Sequence, residues 1–501
     1  MKNMELFQGR KIWVWFVLSA ILISLLAALF SGSLHIHRNI RADVPLNEFK
    51  AHMNERISHL MELYKIPGCS IALVQDGEIV WTQAYGYADV ESSRALTADT
   101  PMSVQSITKS VTAWGIMRLA EKGLIDLDAP VSQYLKSWQL PQSNFPTEKI
   151  TIRQLLSHTA GMPLGDFNLI YAPGEAIPSN RDVMTREAVP IREAGTGFAY
   201  SNVGYNILEI LIEDVTGQSF SDYLRSEVLL PLGMESAAFD VDKAETPYPP
   251  TGYDLSGKPV PVYVYPSKAS GGLFATAHDI ARFAAAGLKE NPVLNAESVE
   301  QMYQAESDKI GIYGLVFGGY GFGHYIEILP NGLRSASHGG QGKGIMTHFQ
   351  LVPETGDAIV ILTNSQRSWP FIAYVLSDWA KWRAFPSFGM GRILWGHYGF
   401  CAVIGMLISA SLLMILRLIT GFHRQKRIGF KVLRVGMAVA LLGVLIWCIM
   451  QEYLFVTSVF PVLSVWLGGA VFVFAVSLLL SALLPARSAK LEDRYLVQFL
   501  N

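Results

Sequence analysis

The sequence predicts an α+β fold, an antiparallel sheet flanked by helices with a mainly helical region inserted into it, accompanied by additional transmembrane helices. Two observations predict it. Strand-like stretches cluster at Cys69–Val74 and Glu78–Ala84 and return only at Leu333–Ser337, Ile345–Val352 and Ala358–Leu362, with helix and loop patterns between. Four apolar blocks, Ile12–Phe30, Leu394–Leu416, Val435–Met450 and Leu463–Leu484, each approach the ~20 residues that a bilayer requires of a helix.

Composition agrees with a chain that lies partly in lipid, since 50% of its 501 residues are hydrophobic and 16% are charged. The net charge of -2 gives no bulk attraction to nucleic acid. Local charge is more informative. Lys2, Arg10 and Lys11 precede the first block, Arg424, Lys426, Arg427 and Lys431 fill the connection after the second, and Arg487, Lys490 and Arg494 follow the fourth, whereas Gln451–Pro461 carries no Lys or Arg. By the positive-inside bias both termini are cytoplasmic and the region from about Arg38 to Arg392 is extracytoplasmic, which describes a multi-pass protein of the cell membrane. A cleaved signal peptide is the other reading of the first block, because Ser31, Gly32 and Ser33 follow it, but its apolar stretch exceeds the ~7–15 residues of such signals. Spans two to four carry almost no ionisable residue and Glu452 falls at an outer boundary, so they read as an anchor. The expected domains are 1–37, a cytoplasmic stub with a transmembrane anchor or a signal peptide; 46–386, the extracytoplasmic domain; 392–486, three transmembrane helices; and 487–501, a cytoplasmic tail.

The extracytoplasmic region begins with a helix, Leu46–Tyr64. Asp76-Gly77 then marks a tight hairpin between the first two strands. Of three cysteines only Cys69 lies in this region, which leaves no internal disulfide and makes Cys69 a small buried strand residue. From Ser106 a helix follows that is apolar on most of its circumference, a pattern of burial, and it is stopped by Gly123. Ile125 to Arg282 reads as helix and loop with proline-rich interruptions at 247–250 and 259–266. Pro353-Glu354-Thr355-Gly356 forms the turn between the last two strands.

Three clusters carry chemistry. Ser106 and Lys109 stand three apart at a helix start, so both project from one face, and a desolvated lysine there accepts the proton that a weak hydroxyl nucleophile must lose. Alone the pair is weak, since Ser-x-x-Lys occurs by chance roughly once or twice in a chain of this size. Tyr200-Ser201-Asn202 follows Gly195-Thr196-Gly197-Phe198-Ala199 and precedes a helix from Gly204 to Val215, placing a phenol and a carboxamide at one tip. Taken singly, Tyr200 reads as a packing tyrosine. His338-Gly339-Gly340-Gln341-Gly342 comes directly after a strand, where glycines let a substrate approach the backbone and exposed N–H groups hold an oxyanion. By itself it reads as a glycine-rich hairpin.

In this order the three clusters resemble the serine β-lactamase, penicillin-binding protein and esterase superfamily, nearest its class C β-lactamase-like branch. Ser106-Ile107-Thr108-Lys109, Tyr200-Ser201-Asn202 and His338-Gly339-Gly340 look like its three motifs. Supporting phrases are Ile66-Pro67-Gly68, Gln154-Leu155-Leu156-Ser157-His158-Thr159-Ala160-Gly161, Gly271-Gly272-Leu273-Phe274-Ala275-Thr276-Ala277 and Leu362-Thr363-Asn364, so the resemblance spans about Leu46 to Pro386. It implies a β-lactamase/transpeptidase-like fold in which Ser106 attacks an acyl carbonyl, Lys109 and Tyr200 manage its proton, and Asn202 positions lysine and substrate. The backbone N–H groups of Ser106 and Gln341 would form the oxyanion hole, and Gly339 and Gly340 would border the substrate. No metal or other cofactor is implied. The expected partners are a small-molecule or cell-wall peptide or ester substrate and the membrane lipid bilayer, with no nucleic acid.

One position departs from the pattern of many β-lactamases and transpeptidases, which place a lysine where His338 stands and use it to hold a substrate carboxylate. A histidine is a weaker, pH-dependent anchor, which argues against a true β-lactamase and toward a D-alanyl peptidase or esterase. His158 reads as a structural hydrogen-bonding residue. The rival from another class is a non-catalytic receptor or scaffold that binds an envelope ligand in the same pocket. A third reading is processing of lipid substrates at the bilayer surface. No Gly-x-Ser-x-Gly elbow, His-Glu-x-x-His or Gly-x-x-x-x-Gly-Lys is present, which leaves α/β-hydrolase, metalloprotease and nucleotide-hydrolase readings without support.

Overall fold

A sheet whose two halves come from opposite ends of the region 39–392 organises that unit. The computed structural model describes residues 2–31, 40–241, 247–419, 428–451 and 455–484. Its strands, in chain order, are β1 (Gly68–Gln75), β2 (Glu78–Asp89), β3 (Arg94–Ala95), β4 (Met102–Ser103), β5 (Gly252–Tyr253) and β6 (Pro259–Val260). The remainder are β7 (Phe274–Ala275), β8 (Gly319–Tyr320), β9 (Tyr325–Ile328), β10 (Arg334–Gly342), β11 (Ile345–Val352) and β12 (Asp357–Thr363). Eight of them form one antiparallel sheet in the order β3-β2-β1-β12-β11-β10-β9-β8, while β4 pairs with β7 and β5 with β6. The α+β architecture is the one the sequence predicts, and the β1–β12 seam is where the early and late strands meet.

The β1–β2 hairpin turns at Asp76 and Gly77, whose φ values of 52° and 74° both lie in the left-handed region that such a tight turn demands. β1, β11 and β12 are buried along nearly their whole length, as central strands covered on both faces should be. Ala72, Val74, Val360 and Leu362 share a core with Ile280, Ala281 and Ala284 of the helix Ala277–Ala286. The helices Leu46–Tyr64 and Trp369–Trp382 pack on each other, with Phe49 stacked on Trp382 at 4.1 Å and Arg56 paired with Asp378 at 3.0 Å. Cys69 is a fully buried strand residue, and burial pushes its thiol pKa up, which makes it unreactive.

The second unit comprises 1–38 and 393–501. It holds the helices Lys2–Phe30, Ile428–Met450 and Leu463–Leu483 and nearly all of Arg392–Ile419. Four stretches, Trp13–Phe30, Gly389–Ile419, Phe430–Met450 and Leu463–Leu483, are long and apolar enough to cross a membrane. Large apolar side chains such as Trp13, Leu22, Val432 and Val465 stand exposed on them. Gly405 lies so close to the first of these helices that a methyl group would sit 2.5 Å from the Ala20 carbonyl oxygen, the small-residue contact typical of helices packed in lipid. Gly32, Ser33, Arg38, Arg424, Lys426, Arg427, Glu452, Arg487, Lys490, Arg494 and the tail 487–501 lie outside the described residues, as do the side chains of Lys2, Arg10 and Lys11.

Candidate active site

Ser106 stands on a bent entry to a buried helix. Gln105–Ile107 makes a single 3₁₀ turn, and the α-helix proper begins at Thr108 rather than at Ser106 and ends at Glu121. Gln105 adopts φ 54°, a conformation that costs a non-glycine residue about 1–3 kcal/mol. Its side chain offsets that cost: Nε2 donates to Ser103 Oγ at 2.7 Å and to Tyr263 OH at 3.2 Å, while Oε1 accepts from Tyr265 OH at 2.9 Å. The strained residue is thus clamped, and with it the direction in which Ser106 faces.

Lys109, one turn on, is fully buried. Its Nζ lies 3.1 Å from Ser106 Oγ, 2.8 Å from Asn202 Oδ1 and 2.7 Å from the Ser270 carbonyl oxygen. Burial holds its pKa well below the usual lysine value. A neutral amine has two N–H groups and one lone pair. In its neutral form, with its two hydrogens given to Asn202 and Ser270, the amine would turn its lone pair toward Ser106 Oγ. The rings of Tyr200 and Tyr205 lie 5.0 and 5.7 Å from Nζ and complete its enclosure.

The second motif opens the helix Asn202–Thr216. Ser201 caps it by accepting from Gly204 N–H at 2.9 Å, and its hydroxyl donates to the Pro163 carbonyl at 2.6 Å. His158 Nδ1 accepts the Ser201 N–H at 3.1 Å, and its ring packs 4.4 Å from that of Tyr200. Burial, and next the nearby Lys109, keep His158 neutral, so it props the motif from behind. Burial raises the pKa of the Tyr200 phenol, a hydrogen bond with Ser106 opposes the rise, and the group remains protonated near neutral pH.

Seven residues beyond Asn202 on the same helix, Glu209 Oε2 accepts the N–H groups of Lys268 (2.6 Å) and Ala269 (2.8 Å). Thr112 Oγ1 of the helix Thr108–Glu121 donates to the Ala269 carbonyl at 2.8 Å. These bonds fix the loop that presents the Ser270 carbonyl to Lys109. Burial pushes the Glu209 pKa up to about 7 against those same hydrogen bonds.

The sequence pattern of the Beta-lactamase family matches residues 53–374 of this chain, a span that contains all three clusters. The chain belongs to the Beta-lactamase family. Among its relatives, "Protein flp" of Staphylococcus aureus (strain MRSA252) is 29% identical over 214 residues, 42% of either chain, so this chain spans about two fifths of the length of that relative. "Penicillin-binding protein 4" of Amycolatopsis lactamdurans is 28% identical over 335 residues, 63% of this chain and 85% of that one. An octameric penicillin-binding protein homologue from Pyrococcus abyssi superposes with a TM-score of 0.56 at 27% identity, covering 67% of this chain and 78% of that one. SurE shares the fold, with a TM-score of 0.56 at 23% identity over 66% of this chain and 76% of its own.

Within this Beta-lactamase-family site, Ser106, Asn202 and Gln341 line one open cleft together with Gln105, Ser270 and Gly271. The third motif differs from the sequence reading in two ways. It does not follow a strand but lies inside β10, which runs through to Gly342. Its glycines make room chiefly for protein: a methyl group on Gly340 would lie 2.2 Å from both the Val104 carbonyl and Thr347 Oγ1, and one on Gly342 would lie 2.5 Å from the Gln105 side chain. They let the strand dock against the nucleophile turn.

His338 is the clearest correction. It is 1% exposed and absent from the cleft lining. Its Nδ1 lies 2.8 Å from the Gly339 carbonyl, to which it donates, leaving Nε2 to accept from Tyr320 OH at 3.2 Å. With both nitrogens engaged and burial, then Lys109, holding its pKa low, it is a neutral support behind Tyr200 and offers no charge to a substrate carboxylate. Sequence reasoning missed the Ser270 carbonyl, the clamp on Gln105, and Glu209. The first is a backbone atom without residue-type signal; the last was a single charge inside the apolar run Ile207–Ile212, and that misfit was the available clue. Among the described residues no cluster of three or more His, Cys, Asp or Glu is arranged to hold a metal.

Proposed function

We propose that the protein is a membrane-held serine acyl-hydrolase working through a Ser106 acyl-enzyme on D-alanyl peptides or esters of the cell envelope, or on small esters. The observation that carries the reading is the placement of Lys109 Nζ, which has acceptors for both its hydrogens and its remaining face toward Ser106 Oγ. In the first step Oγ bonds the acyl carbon as its proton passes to Nζ, and the leaving group departs with a proton relayed through Tyr200. Water then attacks the ester, the acid leaves, and Oγ recovers its proton. N–H groups of Ser106 and Gln341, which share the cleft, would hold the oxyanion. The four apolar helices support membrane attachment, and the distribution of Lys and Arg in the sequence supports an extracytoplasmic catalytic unit with both termini cytoplasmic.

A fluorophosphonate or penicillin probe should label the wild-type chain covalently and leave Ser106→Ala unlabelled. Lys109→Met should slow turnover of nitrophenyl butyrate by about 10³-fold. Equal labelling of the alanine variant would count against Ser106 as the nucleophile, and release of at most one equivalent of nitrophenol would instead describe a binding protein.

A further inference from the structure

One wall of the cleft holds hydrogen-bond acceptors that the acyl-transfer chemistry does not use. Asn206 stands one helical turn beyond Asn202, on the same face, and lines the same cleft. It is 7% exposed, yet its Oδ1 has no hydrogen-bond partner among the described residues. Its backbone carbonyl is satisfied by Asn180 Nδ2 at 2.9 Å, so the orphan is the side chain alone. A buried acceptor left open costs free energy unless a ligand or water fills it.

Two carboxylates line the same cleft, those of Asp166 and Glu187. Asp166 Oδ1 accepts the Asn168 N–H at 2.8 Å, and Glu187 Oε2 accepts the Asp166 N–H at 3.3 Å. Among the described residues neither carboxylate has a lysine or arginine within ion-pairing distance. Among the described residues no lysine or arginine lines the cleft. Two of the donors nearby are committed elsewhere: Ser267 Oγ to Asn180 Oδ1 at 2.6 Å, and Tyr265 OH to Gln105 Oε1 at 2.9 Å. His338, the residue placed to anchor a carboxylate, is shut behind the site.

Taking the acyl-transfer reading as its basis, we propose that Asn206, Asp166 and Glu187 form a subsite for a protonated amine carried on the acyl donor. An ammonium offers three donors and no acceptor, which suits two carboxylates and a carboxamide oxygen. A donor bearing a carboxylate at that point would meet repulsion without any compensating cation.

The test uses full-length Ser106→Ala in detergent, titrated with D-alaninamide, N-acetyl-D-alaninamide and N-succinyl-D-alaninamide, which place a cation, a neutral group and an anion at one position. The cation should bind about 10-fold more tightly than the acetyl compound, with the succinyl compound weakest, and added salt should narrow the gap. In an Asp166→Asn, Glu187→Gln background the order should flatten, and Asn206→Leu should weaken the cation selectively. Asp166 is exposed and Glu187 half-buried, so the first variant reports even where the second fails to fold. Equal binding, or tighter binding of the neutral or anionic compound, overturns the subsite. The matching p-nitroanilides, given to the wild-type chain, separate the two claims. Amine-selective binding without turnover sinks the hydrolase and keeps the subsite, whereas turnover without selectivity does the reverse.

Discussion

The two walls of the cleft are held by different means. The wall made by the turn Gln105–Ile107 and β10 is interlocked, with Gly340 pressed on Val104, Gln105 clamped by its side chain, and Lys109 enclosed. The wall made by residues 165–187 is loop and short helix, and Phe167 on it is 44% exposed. Bond-making needs reacting atoms fixed to within about 0.5 Å, which only an overdetermined wall supplies. Recognition tolerates looser side chains, so the same fold can change substrate without disturbing its chemistry.

Replacing Gly340 by alanine attacks the interlocked wall most directly. The methyl group would displace the Thr347 hydroxyl from the Val104 carbonyl, to which it donates at 2.7 Å. We expect a loss of about 3 kcal/mol or more in stability, read as a fall in Tm, with loss of probe labelling.

Glu209→Gln asks how the Ser270 loop is held. The folded pKa of about 7 stands above the ordinary carboxyl value of about 4.5, so the native state binds this proton more tightly than the unfolded chain does. The resulting stability is fully present below about pH 4.5 and is lost as pH rises through 7, to a total of about 3 kcal/mol. The difference in Tm between wild type and variant should therefore shrink or reverse across that window. A constant difference would mean that the carboxyl does not titrate there.

Asn202→Asp puts a charge beside Lys109 Nζ in place of a neutral acceptor at 2.8 Å. The carboxylate favours the ammonium and raises the lysine pKa. Because the lysine must be neutral to take the Ser106 proton, the acid limb of kcat/KM should move to higher pH by about one unit. The smallest effect belongs to Gly339→Ala, where the nearest atom to a new methyl is a Trp369 ring carbon at 3.3 Å; its cost should stay below about 1 kcal/mol. A Gly339 variant as damaged as the Gly340 variant would show that the glycines serve the substrate side of the strand after all.

The sequence by itself determined the parts that local spacing encodes. Periodicity and turn residues set the strands from Gly68 to Asp89, the helix Leu46–Tyr64 and the four apolar helices, because period two, period 3.6 and bilayer thickness are written in consecutive residues. Ser106 and Lys109 were legible as a pair because they stand one turn apart on a single element. Only the tertiary structure decided which groups surround that pair. Ser270 contributes a backbone atom that no residue code marks, and His338 occupies a motif position yet turns into the core, where Tyr320 and Gly339 satisfy it. Asn206 and Glu209 took their meaning from what faced them, a cleft and a loop more than fifty residues away along the chain. Side-chain direction and burial are set by the packing of distant segments, and no local pattern records them.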